Sequence, residues 1–547
     1  MDHLDKRDDQ IKLQRAVETS LSGRNLDALW ALGDPSRVVP ELPPSAVYHL
    51  SRVADHEDRR LLVLHAAVEQ LQCCWDMDTW RDDLFNPAGA DEWIARMLEL
   101  PDEAWNEKIH GLLPDGLGLH LLSRVAIFNL KLEPESPEDS AWYTTPDGYF
   151  ELHPLPDTPE DAWNNLLRLV DRWYEFDATG IQRLLLATTM ELPTALEEES
   201  YRLRNGRIRD EGFWDAHTAR EIYAPVDPAR VSLEMPETHL ERPSVACYLP
   251  VSASRREGDL LSEALARLSP EEQDAVRGNL ALLCNRMTAA DGVDIADEVG
   301  LADVLERARA CVNLGMAYFV RHRGRAAEDV LRGLHVSRLF QCGYYLQRQG
   351  AVLGATLMRT GVVSLSPGTA TLLEGPWSAF LAGLLAPHPH LDWAPEKSRR
   401  PAPPSTLDQL ALITELLEEM SVFKGLCFEV LGLPASLLTE AGAARTSRHA
   451  PGAITFGDLL RSAGAALVVK GKASAVPLTA VVARAFLAAP ENVPRARQAL
   501  ADLIAPRVAL TPVRLARIVD THLAPLAGAT DPEAVLLLSR RPSRPQK

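Results

Sequence analysis

His217, Arg220 and Glu221 stand close together at helical spacing just after the aromatic pair Phe213-Trp214, and this set is the one best suited to acid–base chemistry. An imidazole flanked by a guanidinium and a carboxylate can pass a proton to or from a bound molecule, provided a third group orients the ring. The same residues also make an ion-paired helix face with an aromatic anchor, and the neighbouring sequence offers no orienting partner. The expectation is therefore that no catalytic residue is assigned, with His217, Arg220 and Glu221 as the candidates.

Other chemistry-bearing spacings fail on geometry. Asp291, Asp294 and Asp297 recur every third residue, whereas a calcium loop sets oxygen ligands at alternate positions around a glycine turn, so the trio reads as a solvated helix face. His388 and His390 sit between prolines without a companion cysteine or carboxylate cluster. Gly471-Lys472 carries Ala466 and Ala473 where a phosphate-binding loop needs a glycine and a hydroxyl. No dinucleotide fingerprint, His-Glu-x-x-His pair, nucleophile elbow or Cys-x-x-Cys pair occurs, so neither a cofactor nor a metal is expected. The seven cysteines, an odd number that includes the vicinal Cys73-Cys74 and the helix-embedded Cys284, Cys311, Cys342 and Cys427, read as buried free thiols in a reducing compartment.

The elements that would have to position any site are helices. Ser269-Pro-Glu-Glu272 is a capping box with proline at the first helical position and predicts a helix over 269–287. Leu301, Val304, Leu305, Ala308 and Val312 form the next apolar stripe, Val330, Leu331, Leu334 and Phe340 another, and Thr406 opens a third with Leu410, Ile413, Leu417 and Met420. A joint in which proline follows an apolar residue recurs at 41–44, 99–102, 112–115 and 191–194, and each should close one helix and open the next. The echo Pro101-Asp-Glu-Ala-Trp105 and Pro159-Glu-Asp-Ala-Trp163 suggests either a common type of helix start or a degenerate repeat of stacked short helices. In the latter case Trp105 and Trp163 occupy equivalent places. Against this rhythm, Trp142–Leu152 carries a Pro-Asp-Gly turn between β-prone segments and predicts one small hairpin, and Val231–Val251 suggests a short strand pair or a linker.

Length and charge set the organisation. A chain of 547 residues with 46% hydrophobic and 24% charged residues can bury several cores. The fold class expected is mainly all-α and multi-helical, its N-terminal part a superhelical stack of short helices. The expected domains are a superhelix-like unit over 1–131, an acidic Pro-rich segment with the hairpin over 132–160 and a second helical unit over 161–250. A central helical domain over 251–384, a Pro-rich connector over 385–405, a joining helix over 406–440 and a basic helical unit over 441–547 follow. That last unit holds 15 Lys and Arg against 6 Asp and Glu on a chain of net charge −19. Its excess positive charge should face the acidic body or an acidic partner, and Arg540–Lys547 should be a frayed end. No charged N-terminus followed by an apolar core and no run of ~18 apolar residues is present, so a cytoplasmic protein without membrane contact is expected.

Two resemblances add to this reading. The Leu-Pro joints of the first 131 residues are similar to those of the superhelical N-terminal domain of bacterial magnesium transporters, without its acidic metal-site pattern; only the architecture is implied. The stretch Arg207–Pro228 (RIRDEGFWDAHTAREIYAPVDP), Asn285-Arg286 and Arg307–Gly315 (RARACVNLG) resemble an uncharacterised bacterial family of long helical proteins, which implies a shared fold and no activity. The function expected is a non-enzymatic helical scaffold or adaptor that binds another protein. The alternatives are an enzyme with a site assembled from separate helices of residues 251–440, or nucleic-acid binding through the basic C-terminal unit, the latter opposed by the net charge and the shortage of stacking rings there.

Overall fold

The computed structural model describes residues 2–538 apart from 82, 113, 133–141, 233–258, 295–296, 366–371, 394–400 and 449. The strand pair or linker expected over 231–251 and the frayed end at 540–547 therefore lie almost wholly outside the described residues. The protein is 70% helical, with two small sheets among the described residues.

Helix starts form where the local chemistry demands them. Ser269 Oγ accepts from the Glu272 amide at 3.3 Å while Glu272 returns a bond to the Ser269 amide at 2.8 Å. The helix Pro270–Asp291 then runs to Gly292, whose φ of 63° ends it. Thr406 and Gln409 reciprocate in the same way at the head of Leu407–Gly425. All four proline joints open helices, at Pro44–Val53, Asp102–Gly111, Pro114–Arg124 and Pro193–Asp210. The stripe from Val330 to Phe340 resolves into two helices, Ala327–Gly333 and Val336–Arg359, because Leu334 between them is extended.

The hairpin forms as expected, with Tyr143 opposite Leu152 and Thr144 opposite Glu151. Asp147 holds its turn by accepting from Thr145 Oγ1 at 2.6 Å and from the Tyr149 amide at 3.0 Å, and Gly148 takes the positive φ that closes it. A third strand, Val125–Asn129, pairs along the other edge of Phe150–Pro154. It escapes a sequence reading because an apolar run directly after a helix reads as more helix. A second, two-stranded sheet joins Trp80–Arg81 to Leu84–Phe85.

The chain packs into two compact units. The first comprises residues 1–226, 231–312 and 319–341, the second residues 227–230, 313–318 and 342–547. A large core in the first runs from Ala16 to Phe213. Trp105 and Trp163 both lie at the fourth position of helices that begin after Pro101 and Pro159, and their amides bond those prolines' carbonyls at 2.8 and 2.9 Å. Trp105 is fully buried against Phe176 beneath the Arg172 guanidinium, whereas Trp163 is half-buried on the same core.

In the second unit, one core spans Val363 to Leu537, so residues 441–537 pack together with 363–440. Their arginines find acids inside this unit. Glu419, fully buried, accepts from Arg514 Nε at 3.1 Å and Arg517 Nη2 at 2.6 Å, and Arg517 also reaches Glu415 at 2.6 Å. Burial still pushes the Glu419 carboxyl up, against the pull of both guanidiniums. Arg461 bridges Glu374 and Asp458, and Arg448 reaches Asp458 at 2.9 Å.

Truncating the fully buried Trp105 to alanine should cost about 3–5 kcal/mol in a denaturant titration, and Trp163→Ala distinctly less because its ring is only half-buried. Equal losses at the two positions would contradict this difference in packing.

Candidate functional site

The polar side chains of the first unit converge on a cavity of about 560 Å³, within the size range of small-molecule sites. Helix Pro44–Val53 supplies Tyr48, His49 and Arg52; Val68–Asp78 ends on it with Asp78; Pro87–Leu98 brings Gly89 and Glu92. Arg204, the segment Phe213–Ala216, then Asn285 and Thr288 of Pro270–Asp291 and Val304 of Glu298–Arg323 complete the wall. Local sequence explains the placements. Residues 45–51 of the first helix are all buried, so a polar residue at 49 is carried inside. Gly89 lets the Pro87–Leu98 helix close on the end of Val68–Asp78, since a Cβ there would stand 2.2 Å from the Asp78 carbonyl oxygen.

Asp78 and Arg52 on the wall are paired with each other. Asp78 accepts from Tyr48 Oη at 3.2 Å and from Trp93 Nε1 at 2.9 Å, and stands 3.6 Å from Arg52 Nη1. Arg52 also reaches Asp294 at 3.4 Å. Burial, with the Asp78 charge alongside, holds the Tyr48 phenol well above its ordinary range, so it stays a donor. Burial opposes the Arg52 cation, but Asp78, Tyr48 and Asp294 outweigh it. Arg204 on the wall donates to the Asp76 carbonyl at 2.9 Å, and Arg207 grips the buried Asp76 carboxylate at 2.6 and 2.9 Å.

Two neutral side chains on this wall are not satisfied. His49 is 1% exposed and neither ring nitrogen has a hydrogen-bond partner; its neighbours are the rings of Tyr48 and Phe213, at 5.8 and 5.7 Å. Burial lowers its pKa to about 4, so at neutral pH the ring carries one N–H donor and one bare acceptor. Asn285 Nδ2 is likewise buried without a partner.

The residues singled out by sequence lie elsewhere. His217 and Arg220 are exposed on the short helix Ala216–Arg220, which Asp215 caps, and Glu221 pairs with Arg286 at 3.5 Å. None of the three lines the cavity, although Trp214, Asp215 and Ala216 just before them do. Asp291, Asp294 and Asp297 do not share a helix face, because Gly292 breaks the helix between them. Asp291 bonds Tyr223 and Arg307, Asp294 reaches Arg52, and Asp297 caps Glu298–Arg323. His390 Nδ1 faces the His388 carbonyl at 3.4 Å, Gly471 serves as a helix cap with φ 69°, and the six described cysteines are buried free thiols. Among the described residues no cluster of three or more His, Cys, Asp or Glu could hold a metal, and no helix is long and apolar enough to cross a membrane. Tyr48, His49, Arg52, Asp78 and Arg204 went unnoticed in the sequence, since a lone histidine in an apolar helix reads as core.

The stretches that carried the family resemblance, 207–228 and 285–286, supply Phe213, Trp214, Asp215, Ala216 and Asn285 to the wall. A family model matches residues 10–527. The chain belongs to this family of unknown function, DUF6178. No curated protein and no solved structure matches it, and a likeness of residues 1–131 to the magnesium-transporter superhelix is not shown. Membership in the family carries no activity with it.

His49 in the first unit and His522 in the second are both lowered by burial to about 4 from an ordinary 6.5. Each therefore contributes stability that is complete above pH 6.5 and is lost as pH falls towards 4, because the unfolded chain takes up the proton first. At roughly 1.4 kcal/mol per pH unit, each contribution is on the order of 3 kcal/mol. Urea midpoints measured from pH 7 to 4.5 should decline, and His49→Phe should make the decline shallower. An unchanged slope in that variant would overturn the assignment of a neutral, proton-excluding His49.

Proposed function

We propose that the first unit is a receptor for a small molecule, which binds in the cavity bounded by Tyr48, His49, Asp78, Phe213 and Asn285. One observation carries the reading: two residues that line a single cavity, His49 and Asn285, hold three buried polar atoms without a partner, both ring nitrogens of His49 and Nδ2 of Asn285. Each such atom costs about 1–3 kcal/mol when left unmade. A ligand that reaches and bonds any of them recovers that cost on binding, which favours both affinity and selectivity.

Binding is favoured over catalysis by the state of the reactive groups. The Cys284 thiol is pushed up to about 12 by burial, which denies it a thiolate, and His49 has no carboxylate to orient its ring. The adaptor reading keeps separate support from exposed apolar residues at the junction of helices Glu160–Met190 and Pro193–Asp210, where Met190 and Leu192 are 73% and 71% exposed beside Leu186. Nucleic-acid binding is disfavoured because Arg448, Arg461, Arg514 and Arg517 of the basic segment are engaged by acids.

His49→Phe removes two unpartnered nitrogens while keeping a ring of similar shape, so it should raise the stability of the empty protein by about 1–2 kcal/mol. Native mass spectrometry after incubation with a metabolite extract should show an added mass on the wild type that the variant lacks. A wild type that retains no added mass, together with a variant of reduced stability, would show that His49 serves packing alone.

A further inference from the structure

In the second unit the stretch from Asp531 to Leu538 is not helical but crosses the core as a strap. The turn Pro532–Ala534, capped by Asp531, leads into Val535, Leu536 and Leu537, which are all buried. Arg448 Nη2 donates to the Glu533 carbonyl at 3.3 Å, and Arg461 Nε donates to the Ala534 carbonyl at 3.1 Å. The Leu536 amide donates to Ser462 Oγ at 2.8 Å and the Leu537 amide to Ser447 Oγ at 3.2 Å. On one side the Leu537 carbonyl accepts from the Ser447 amide at 2.8 Å. On the other, the Leu478 amide and carbonyl bond the Leu536 carbonyl at 2.9 Å and the Leu538 amide at 2.8 Å. The strap is thus the middle member of a small ladder, antiparallel to Thr446 and parallel to Leu478. Main-chain bonds to an extended segment, with its side chains buried alongside, are the means by which sheet edges recognise peptides.

The side chains that grip the strap are fixed by partners of their own. Arg461 is held by Glu374 and by Asp458, each at 3.0 Å, and Arg448 by Asp458 at 2.9 Å. Ser462 Oγ donates to the Asp458 carbonyl at 2.6 Å, which leaves its lone pairs for the Leu536 amide. These groups keep their places whether or not the strap is seated, and a groove arranged in advance binds an extended segment without the cost of ordering its own donors. The strap joins the rest of the unit through Ala527–Thr530, where Ala527, Gly528 and Thr530 are exposed and Gly528 takes a φ of 76°.

We propose that this groove is a docking site for an extended apolar peptide of a partner protein, and that residues 531–538 occupy it in cis as a built-in competitor. The partner's segment is defined by what the strap supplies: an extended backbone with three successive aliphatic side chains and no charge at the place of Leu536. A short tether holds the strap at an effective concentration on the order of mM, so a partner enters only when the strap is unseated. This site lies in the second unit and is independent of the cavity in the first.

The probe is a fluorescent peptide of residues 529–541 (ATDPEAVLLLSRR), titrated into the full chain and followed by anisotropy. Leu536→Asp places a carboxylate where the chain is buried and should unseat the strap, so this variant should bind the peptide at least about tenfold more tightly than the wild type. Val535→Asp is a second route to the same state. Adding Ser462→Val to either variant should weaken the peptide by about tenfold, because the incoming amide loses its acceptor. Circular dichroism follows helix content throughout. Variants that lose helix and regain it with the peptide would support the groove equally. Variants that keep their helix yet take up no peptide would overturn the proposal. So would variants that lose helix and do not regain it with the peptide, since the strap would then be core and nothing more, and so would peptide binding that ignores Ser462→Val.

Discussion

The carboxylate of Asp78 ties three helices together at one point. It ends the Val68–Asp78 helix, takes hydrogen bonds from Tyr48 of Pro44–Val53 and Trp93 of Pro87–Leu98, and faces Arg52, which extends the link to Asp294 beyond the end of Pro270–Asp291. Half-buried charges hold only where their partners stay in place. The positions of Tyr48 and Arg52 fix the turn of their helix, and His49, between them in sequence, is carried onto the same wall. Gly89 completes the arrangement by allowing the third helix to approach the Asp78 backbone.

The second unit solves a different electrostatic problem. Its C-terminal residues carry the positive excess, and its core takes in two acids, Glu419 and Asp458, that are nearly inaccessible. Each is met by two guanidiniums, whose planar forks satisfy several oxygen lone pairs at once, an arrangement that lysine could not reproduce. Because buried ion pairs gain little net energy against apolar packing, their main effect here is to specify which helix faces which.

Legibility in the sequence followed the range of the interactions. Ser269 with Glu272, Thr406 with Gln409, the Leu-Pro joints and the Pro-Asp-Gly turn are all decided within four residues, and each was readable. The cavity was not, because its defining contacts span 30 residues from Tyr48 to Asp78 and 242 from Arg52 to Asp294. Asp294 was noticed among its acidic neighbours, yet nothing local distinguishes a residue that reaches Arg52 from one on a solvated face. The stretches from Arg207 and around Asn285 drew notice as family features without showing that they lie on a common wall. For the C-terminal segment the sign of the charge was legible, but its depth was not, since a count of arginines is the same whether they face water or Glu419.

The pairing of late arginines with early acids also orders events during synthesis. Glu374, Glu415 and Glu419 leave the ribosome well before Arg461, Arg514 and Arg517, and the apolar residues from Val363 to Leu437 leave before their partners between Ile454 and Leu537. Throughout that interval the nascent second unit holds acids it cannot neutralise and an apolar face it cannot cover. A chain interrupted between residues 440 and 510 would thus lack the apolar residues and arginines that complete this core, so the second unit can close only once the last fifth of the chain has been made.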